Sequence, residues 1–175
     1  MSGDGLPDLL QTWQGPAGNQ DVVLDVDYDR YAAAEAQLAW LNLEVTVEAA
    51  TGEFDANAWA RTALESLSAW SASTDALIGH AKLTVAAGED DFAKLSLTAA
   101  GDAPVVDRVA VAGVATGRAV INARVACEPA DLDLAVTQAV AEADRACATR
   151  SAAVSPVSFK PGYPTPVHRL AAAGA

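Results

Sequence analysis

Five side chains of this sequence could do chemistry together: Trp40, Glu44, His80, Lys82 and Arg124. Each falls in a segment of alternating apolar and polar residues, and residues two apart in a strand point to the same face. A histidine titrates near neutral pH, so a surface with His80, two cations and the two carboxylates of Glu44 and Glu48 could bind a small anion or transfer protons. The alternative is a solvated sheet face with weak salt bridges, which antiparallel sheets commonly have.

Metal and cofactor chemistry find little support in the residue types. His80 could join Glu44 or Glu48 at a metal, but one histidine with carboxylates is a weak ligand set. The sequence contains no GxxxxGK[ST], HExxH, GxSxG or GxGxxG motif, and its two cysteines and two histidines lack the spacing of a zinc site. We therefore expect no catalytic residue, no metal and no cofactor, and a protein that is not an enzyme.

Two further residues suggest contact surfaces. A tryptophan on an otherwise polar face, as Trp40 would be, is typical of a surface that meets another subunit. His168 lies beside Arg169 near the end of the chain, where contact with a partner is as plausible as no role.

Periodicity predicts the elements that must position these residues. Leu41, Leu43, Val45 and Val47 alternate with polar residues, which predicts a strand with one wet face. Asp55 can cap a helix whose apolar stripe is Trp59, Ala63, Leu67 and Trp70.

A hairpin follows this helix. Its strands turn inward Leu77, Ala81, Leu83 and Val85, and then Ala93, Leu95 and Leu97. A further strand covers 121–127, Pro129 and Asp131 open a second helix, and 100–118 is a loop or an edge strand. The prediction is an α+β fold of order β-α-β-β-β-α, a four-stranded antiparallel sheet with its helices on one face.

The domain organisation follows from length and from proline content. We predict a flexible lead-in over residues 1–24 and a single α+β domain over 25–150, with a short helix within 25–39. Residues 151–175 form a Pro-rich tail, with prolines at 156, 161, 164 and 166, that is expected to be extended.

Charge and cysteine content narrow the class of partner. A net charge of −12 repels phosphate backbones and anionic headgroups, so we expect neither nucleic acid nor membrane as a partner. No signal peptide or membrane span is recognisable, and two isolated cysteines suggest reduced thiols in a cytoplasm. The acidic, Lys-poor composition fits either a GC-rich genome or halophilic adaptation.

Four segments resemble a known family. "YDRYAAAEAQLAWLNLEV", "IGHAKLTV", "INARVACEPADLDLAV" and "FKPGYPTPVHR" are similar to the C-terminal portion of CobW-type GTPases, the G3E group of metallochaperones and cobalamin-associated proteins. The resemblance covers about residues 25–170 and implies a βαβββα domain that packs beside a GTPase domain and modulates it. The GTP-binding loop and the CxCC metal motif belong to that GTPase domain, and neither occurs here.

The resemblance leads us to expect a stand-alone regulatory or interaction domain linked to metal homeostasis or cobalamin metabolism. Its partners would be further copies of itself, and a separate GTPase or corrinoid-pathway protein. One alternative is a small-molecule-binding protein or enzyme that uses the polar face around His80. Another is a structural homo-oligomer without a ligand. A concave pocket on the polar face would favour the former, and a flat face buried against a twin the latter.

Overall fold

The computed structural model describes Gln11 and residues 28–163, and the latter range contains three helices and six strands. The helices are α1 (Tyr28–Glu35), α2 (Ala56–Ser73) and α3 (Pro129–Cys147). The strands are β1 (Ala39–Ala49), β2 (Ile78–Ala86), β3 (Phe92–Leu97), β4 (Val105–Arg108), β5 (Thr116–Val125) and β6 (Thr149–Phe159). The α+β class is confirmed.

All six strands form one antiparallel sheet in the order β4-β3-β2-β5-β1-β6. Helix α2 packs on β2 and β3, α3 packs on β1 and β6, and the two helices contact each other. The apolar side chains of the central strands are buried on this side, among them Leu43, Val45, Leu83 and Val125. The opposite side of these strands, which we call the open face, carries the alternate residues.

Helix α2 begins and packs as the sequence predicts. The carboxylate of Asp55 accepts hydrogen bonds from the N–H groups of Asn57 and Ala58, at 2.8 and 3.3 Å, and so satisfies two donors that the helix leaves unpaired. Trp59 and Leu67 are buried on the face that meets the sheet and α3. Trp70, the last residue of the predicted stripe, is only half-buried.

The sheet has two strands more than predicted, because one additional strand pairs at each edge. Residues 149–159, of which 151–159 belong to the predicted Pro-rich tail, pair with β1 as strand β6. Pro156 lies within this strand, and a proline is tolerated there because β6 is an edge strand of the sheet formed by residues 28–163. At the other edge, β4 is a four-residue strand within the segment 100–118 that was expected to be a loop or an edge strand.

A β-bulge at Gly79 corrects the predicted pattern at the start of β2. Ile78 pairs with Val125 and His80 pairs with Arg124, so Gly79 is the extra residue. Ile78 is consequently buried, whereas Leu77, which was expected to point inward, is 72% exposed. A Cβ atom on residue 79 would lie 3.3 Å from the carbonyl oxygen of Arg124, a close approach that favours glycine.

The remaining predictions concern the two ends of the chain. The short helix expected within 25–39 is α1, at Tyr28–Glu35. Of the predicted lead-in over 1–24 only Gln11 is described, and His168 lies outside the described residues. None of the helices in the described part of the chain has the length and apolarity needed to cross a bilayer.

Candidate functional site

The open face contains a concave site at its centre, across β2, β5 and β1. We call this site, of about 270 Å³, the open-face cavity. The side chains that point from the open face into it come from three strands and are Trp40, Asn42, His80, Lys82, Asn122 and Arg124.

Arg124 occupies the middle of the cavity, because β5 lies between the other two strands. It pairs with Trp40 on one side and with His80 on the other. The guanidinium carbon of Arg124 lies 3.7 Å from the centre of the Trp40 ring, a cation–π contact. The Phe159 ring from β6 lies 5.7 Å from the Trp40 ring at a tilt of 47°. The half-buried Trp40 is therefore packed against both side chains.

A second row of the cavity is made of Lys82, Asn122 and Asn42, which are also cross-strand partners. Asn122 Nδ2 donates a hydrogen bond to Asn42 Oδ1 at 2.5 Å. This bond leaves Asn122 Oδ1 and Asn42 Nδ2 available to a ligand, and the Lys82 ammonium adds three further donors.

Glu44 shares the open face but does not line the cavity. Its carboxylate accepts two hydrogen bonds from the Arg118 guanidinium, one from Nε and one from Nη2, each at 2.5 Å. The bond to Arg118 lowers the pKa of Glu44, and the bond to Glu44 raises the pKa of Arg118. Glu44 is therefore committed to an ion pair and does not neutralise the cations of the cavity.

His80 lies in an electropositive environment. Partial burial lowers its pKa from the ordinary value, and the positive charges of Arg124 and Lys82 lower it further. Glu35, from α1, acts in the opposite direction and is the weakest of the four influences. At neutral pH the His80 imidazole is consequently uncharged and can accept a proton or a hydrogen bond.

Several polar groups of the cavity lack an ion-pair or hydrogen-bond partner among the described residues. Within residues 28–163, neither Lys82 nor Arg124 forms an ion pair, although the whole chain carries 23 acidic residues. The Trp40 indole N–H is buried and has no hydrogen-bond partner there. Nor does that range bring together three or more His, Cys, Asp or Glu side chains able to hold a metal ion. The cavity is thus rich in donors, and an electron-rich ligand would complement it.

Of the five residues that the sequence singles out, four line the cavity and Glu44 does not. Sequence reasoning missed Arg118 as the partner of Glu44, because small residues at 117 and 119 hide the first half of β5. It also missed Phe159, which reaches Trp40 only because β6 pairs with β1. Continuing the alternation of β5 backward from Ile121 to Ala119 and Gly117 would have found Arg118 on the polar side.

Comparisons of the chain with protein-family models, with curated proteins and with solved structures found no match. The similarity to the C-terminal portion of CobW-type proteins thus stays a prediction from the sequence.

Proposed function

We propose that this chain is a non-catalytic regulatory domain of the CobW C-terminal type, and that the open-face cavity is its recognition site. It would act in the cytoplasm, beside a separate GTPase or corrinoid-pathway protein, in metal or cobalamin metabolism. Neither nucleic acid nor membrane is a partner in this proposal, because the net charge is −12.

One observation carries the proposal. The four segments that resemble the family lie far apart in the sequence, yet all four contribute to the cavity or to its wall. They supply Trp40 and Asn42 from β1, His80 and Lys82 from β2, Asn122 and Arg124 from β5, and Phe159 from β6. A common recognition site would account for the similarity of these segments.

Binding explains the cavity better than catalysis does. A catalytic general base is usually oriented by a hydrogen-bonding partner, often a carboxylate. Glu44, the carboxylate expected to accompany His80, is bound to Arg118 and does not serve His80 in this way. The concave shape, about 270 Å³ in volume, also argues against a flat structural interface across the open face.

The test is capture of the partner by cavity variants. Wild-type protein, Arg124→Gln and Lys94→Gln would be immobilised and exposed to a cytoplasmic extract of the source organism. Lys94 is a matched control, because it lies on β3 on the same open face and does not line the cavity. We expect wild type and Lys94→Gln to retain a GTPase, identified by mass spectrometry, and Arg124→Gln to retain about tenfold less.

Retention of the same GTPase by Arg124→Gln would contradict the proposal, and so would a wild-type protein that retains no GTPase. The isolated chain should not bind GTP, since it lacks a phosphate-cradling loop. Micromolar GTP affinity in a calorimetric titration would refute that part of the proposal.

We also propose that the chain self-associates, and one surface of the structure favours this. Among the described strands β4 pairs only with β3, so its other side is an edge, and it lies beside exposed valines, with Val105 61% and Val111 93% exposed. Such an edge can pair with the same strand of a second copy. Light scattering at micromolar concentration should give a mass well above the 17.9 kDa of one chain, and a mass of one chain would contradict self-association.

A further inference from the structure

The three basic residues of the cavity are close enough to share one small ligand. Neighbouring strands lie about 4.8 Å apart, and diagonal cross-strand neighbours about 7–8 Å apart. His80 is directly opposite Arg124, and Lys82 is its diagonal neighbour. Lysine and arginine side chains are long and flexible, and both line the same cavity as His80, so both can reach a group bound beside His80.

The two permanent cations of the cavity lack an ion-pair partner among the described residues, and Glu35 of α1 is the weakest of the influences on His80. Arg124 and Lys82 have no carboxylate partner within residues 28–163, and Glu44 is bound to Arg118. Two permanent cations without a counter-charge repel each other, and this repulsion destabilises the folded protein when no ligand is bound. A bound anion would offset the repulsion.

Arg124 is oriented before any ligand arrives. One face of its guanidinium lies on the Trp40 ring, so the donors at its edge are held in a plane. A planar fork of N–H donors fits two oxygens of a carboxylate or a phosphate. The volume of about 270 Å³ corresponds to roughly nine water molecules at ~30 Å³ each, which suits a small molecule.

We propose that the open-face cavity is an oxyanion site that binds the phosphate or carboxylate group of a small molecule through Arg124 and Lys82, with the amides of Asn42 and Asn122 beside them. This inference rests on the proposed function, since it names the ligand class of the same recognition site. His80 is a hydrogen-bonding wall of the site, and a bound anion would offset the positive charges of Arg124 and Lys82 that lower its pKa.

Isothermal titration calorimetry at constant ionic strength tests the inference with three probes: sodium phosphate, sodium sulfate and sodium succinate. Sodium chloride serves as the control for ionic strength. The proteins are wild type, Arg124→Gln, Lys82→Gln and Lys94→Gln, each checked for folding by circular dichroism. We expect saturable binding to wild type and to Lys94→Gln, weakened about tenfold or more by either cavity variant.

Binding of phosphate and sulfate alone would assign a phosphate-bearing ligand, and binding of succinate alone would assign a carboxylate. The inference is overturned if no probe binds wild type, or if the cavity variants bind as tightly as Lys94→Gln. If Arg124→Gln does not fold, Lys82→Gln decides the outcome alone.

The two proposals can fail separately. If no anion binds while capture of a GTPase still depends on Arg124, the oxyanion inference is wrong and the regulatory function stands. If anions bind and capture does not depend on Arg124, the cavity is an oxyanion site and the proposed partnership is wrong.

Discussion

Two tryptophans of this protein lie beside polar groups, and they differ in whether the indole N–H has a hydrogen-bond partner among the described residues. Trp59, from α2, donates its indole N–H to Asp144 Oδ1 at 2.9 Å. Trp40, on the open face, has its N–H buried without a partner among the described residues. The first belongs to a set of groups that satisfy one another, and the second to a set that does not.

The group around Asp144, which we call the Asp144 cluster, joins three elements. Besides the indole of Trp59, the carboxylate of Asp144 on α3 accepts from Thr149 Oγ at 2.6 Å, from Ser151 N at 2.8 Å and from Ser151 Oγ at 2.8 Å. Four donors thus converge on one acidic group, and each ties α2 or β6 to α3. Such a cluster stabilises the fold and leaves little capacity for a ligand.

In the open-face cavity, by contrast, Lys82 and Arg124 lie on the same face and neither forms an ion pair within residues 28–163. A protein tolerates such an arrangement at a site that a ligand completes, where stability is given up for binding. The comparison therefore assigns a structural role to the Asp144 cluster and a binding role to the cavity. Four sets of substitutions test this assignment, beginning with the largest expected effect.

Replacing Asp144 by alanine should have the largest effect on stability. Asp144→Ala leaves the Trp59 indole and the hydroxyl of the buried Thr149 without an acceptor, so the free energy of unfolding should fall by about 2–3 kcal/mol. Urea unfolding measures this change. Glu142→Ala, two residues away on the same helix, removes only a surface ion pair with Arg145, so it is the control and should change stability by no more than ~0.5 kcal/mol. Equal effects of the two substitutions would remove the structural role of Asp144.

The two tryptophans should respond differently to the same substitution. Trp59→Phe deprives Asp144 of a donor and leaves space in a fully buried position, so it should lower the free energy of unfolding by about 1–3 kcal/mol. Trp40→Phe removes no hydrogen bond to any described residue and should cost about 0.5 kcal/mol or less. The contrast between the Asp144 cluster and the open-face cavity is wrong if Trp40→Phe proves more destabilising than Trp59→Phe.

His80 should make stability fall as the solution becomes acidic. Its pKa is lowered in the folded protein, so below the ordinary value of 6.5 the unfolded chain takes up the proton first. The contribution of His80 to the free energy of unfolding is therefore fully present above pH 6.5. It is lost as the pH falls from that value toward the lowered pKa of the folded state. Urea unfolding across this window should show a smaller decrease for His80→Gln than for wild type. Parallel pH profiles would show that folding does not lower the pKa of His80.

Removing a cation from the cavity should produce the smallest effect, and one of the opposite sign. Lys82→Gln relieves repulsion by Arg124, so stability at low salt should rise by about 0.2–0.5 kcal/mol and the gain should vanish at high salt. Arg61→Gln, at an exposed position of α2, is the control and should show no such gain. A loss of stability in Lys82→Gln at low salt would mean that Lys82 has a favourable partner.

The sequence alone predicts the parts of this fold that depend on local periodicity. The alternation from Leu41 to Glu48 indicates β1 and its wet side, and Asp55 marks the start of α2. The spacing of His80 with Lys82 places both side chains on one face of β2. The sequence also predicts that Arg124 shares this face with His80 and Lys82. The apolar residues that alternate with them in each strand must all pack against the same helices.

Features that depend on pairing between distant segments could not be predicted in this way. Strand β6 exists because residues 149–159 pair with β1, and its proline argues against a strand when read locally. The cover over Trp40 by Phe159 depends on that pairing. The bulge at Gly79 was hidden because Leu77 and Ile78 are both apolar, so their pattern does not show which one points inward.

The central claim is that the open-face cavity binds an anion while the Asp144 cluster does not. A proton–nitrogen correlation NMR spectrum shows both regions at once through the indole N–H signals, which Trp40→Phe and Trp59→Phe assign. During titration with sodium phosphate at constant ionic strength, the Trp40 signal should move to saturation and the Trp59 signal should stay in place. A Trp40 signal that does not move, or that moves together with that of Trp59, would contradict this account.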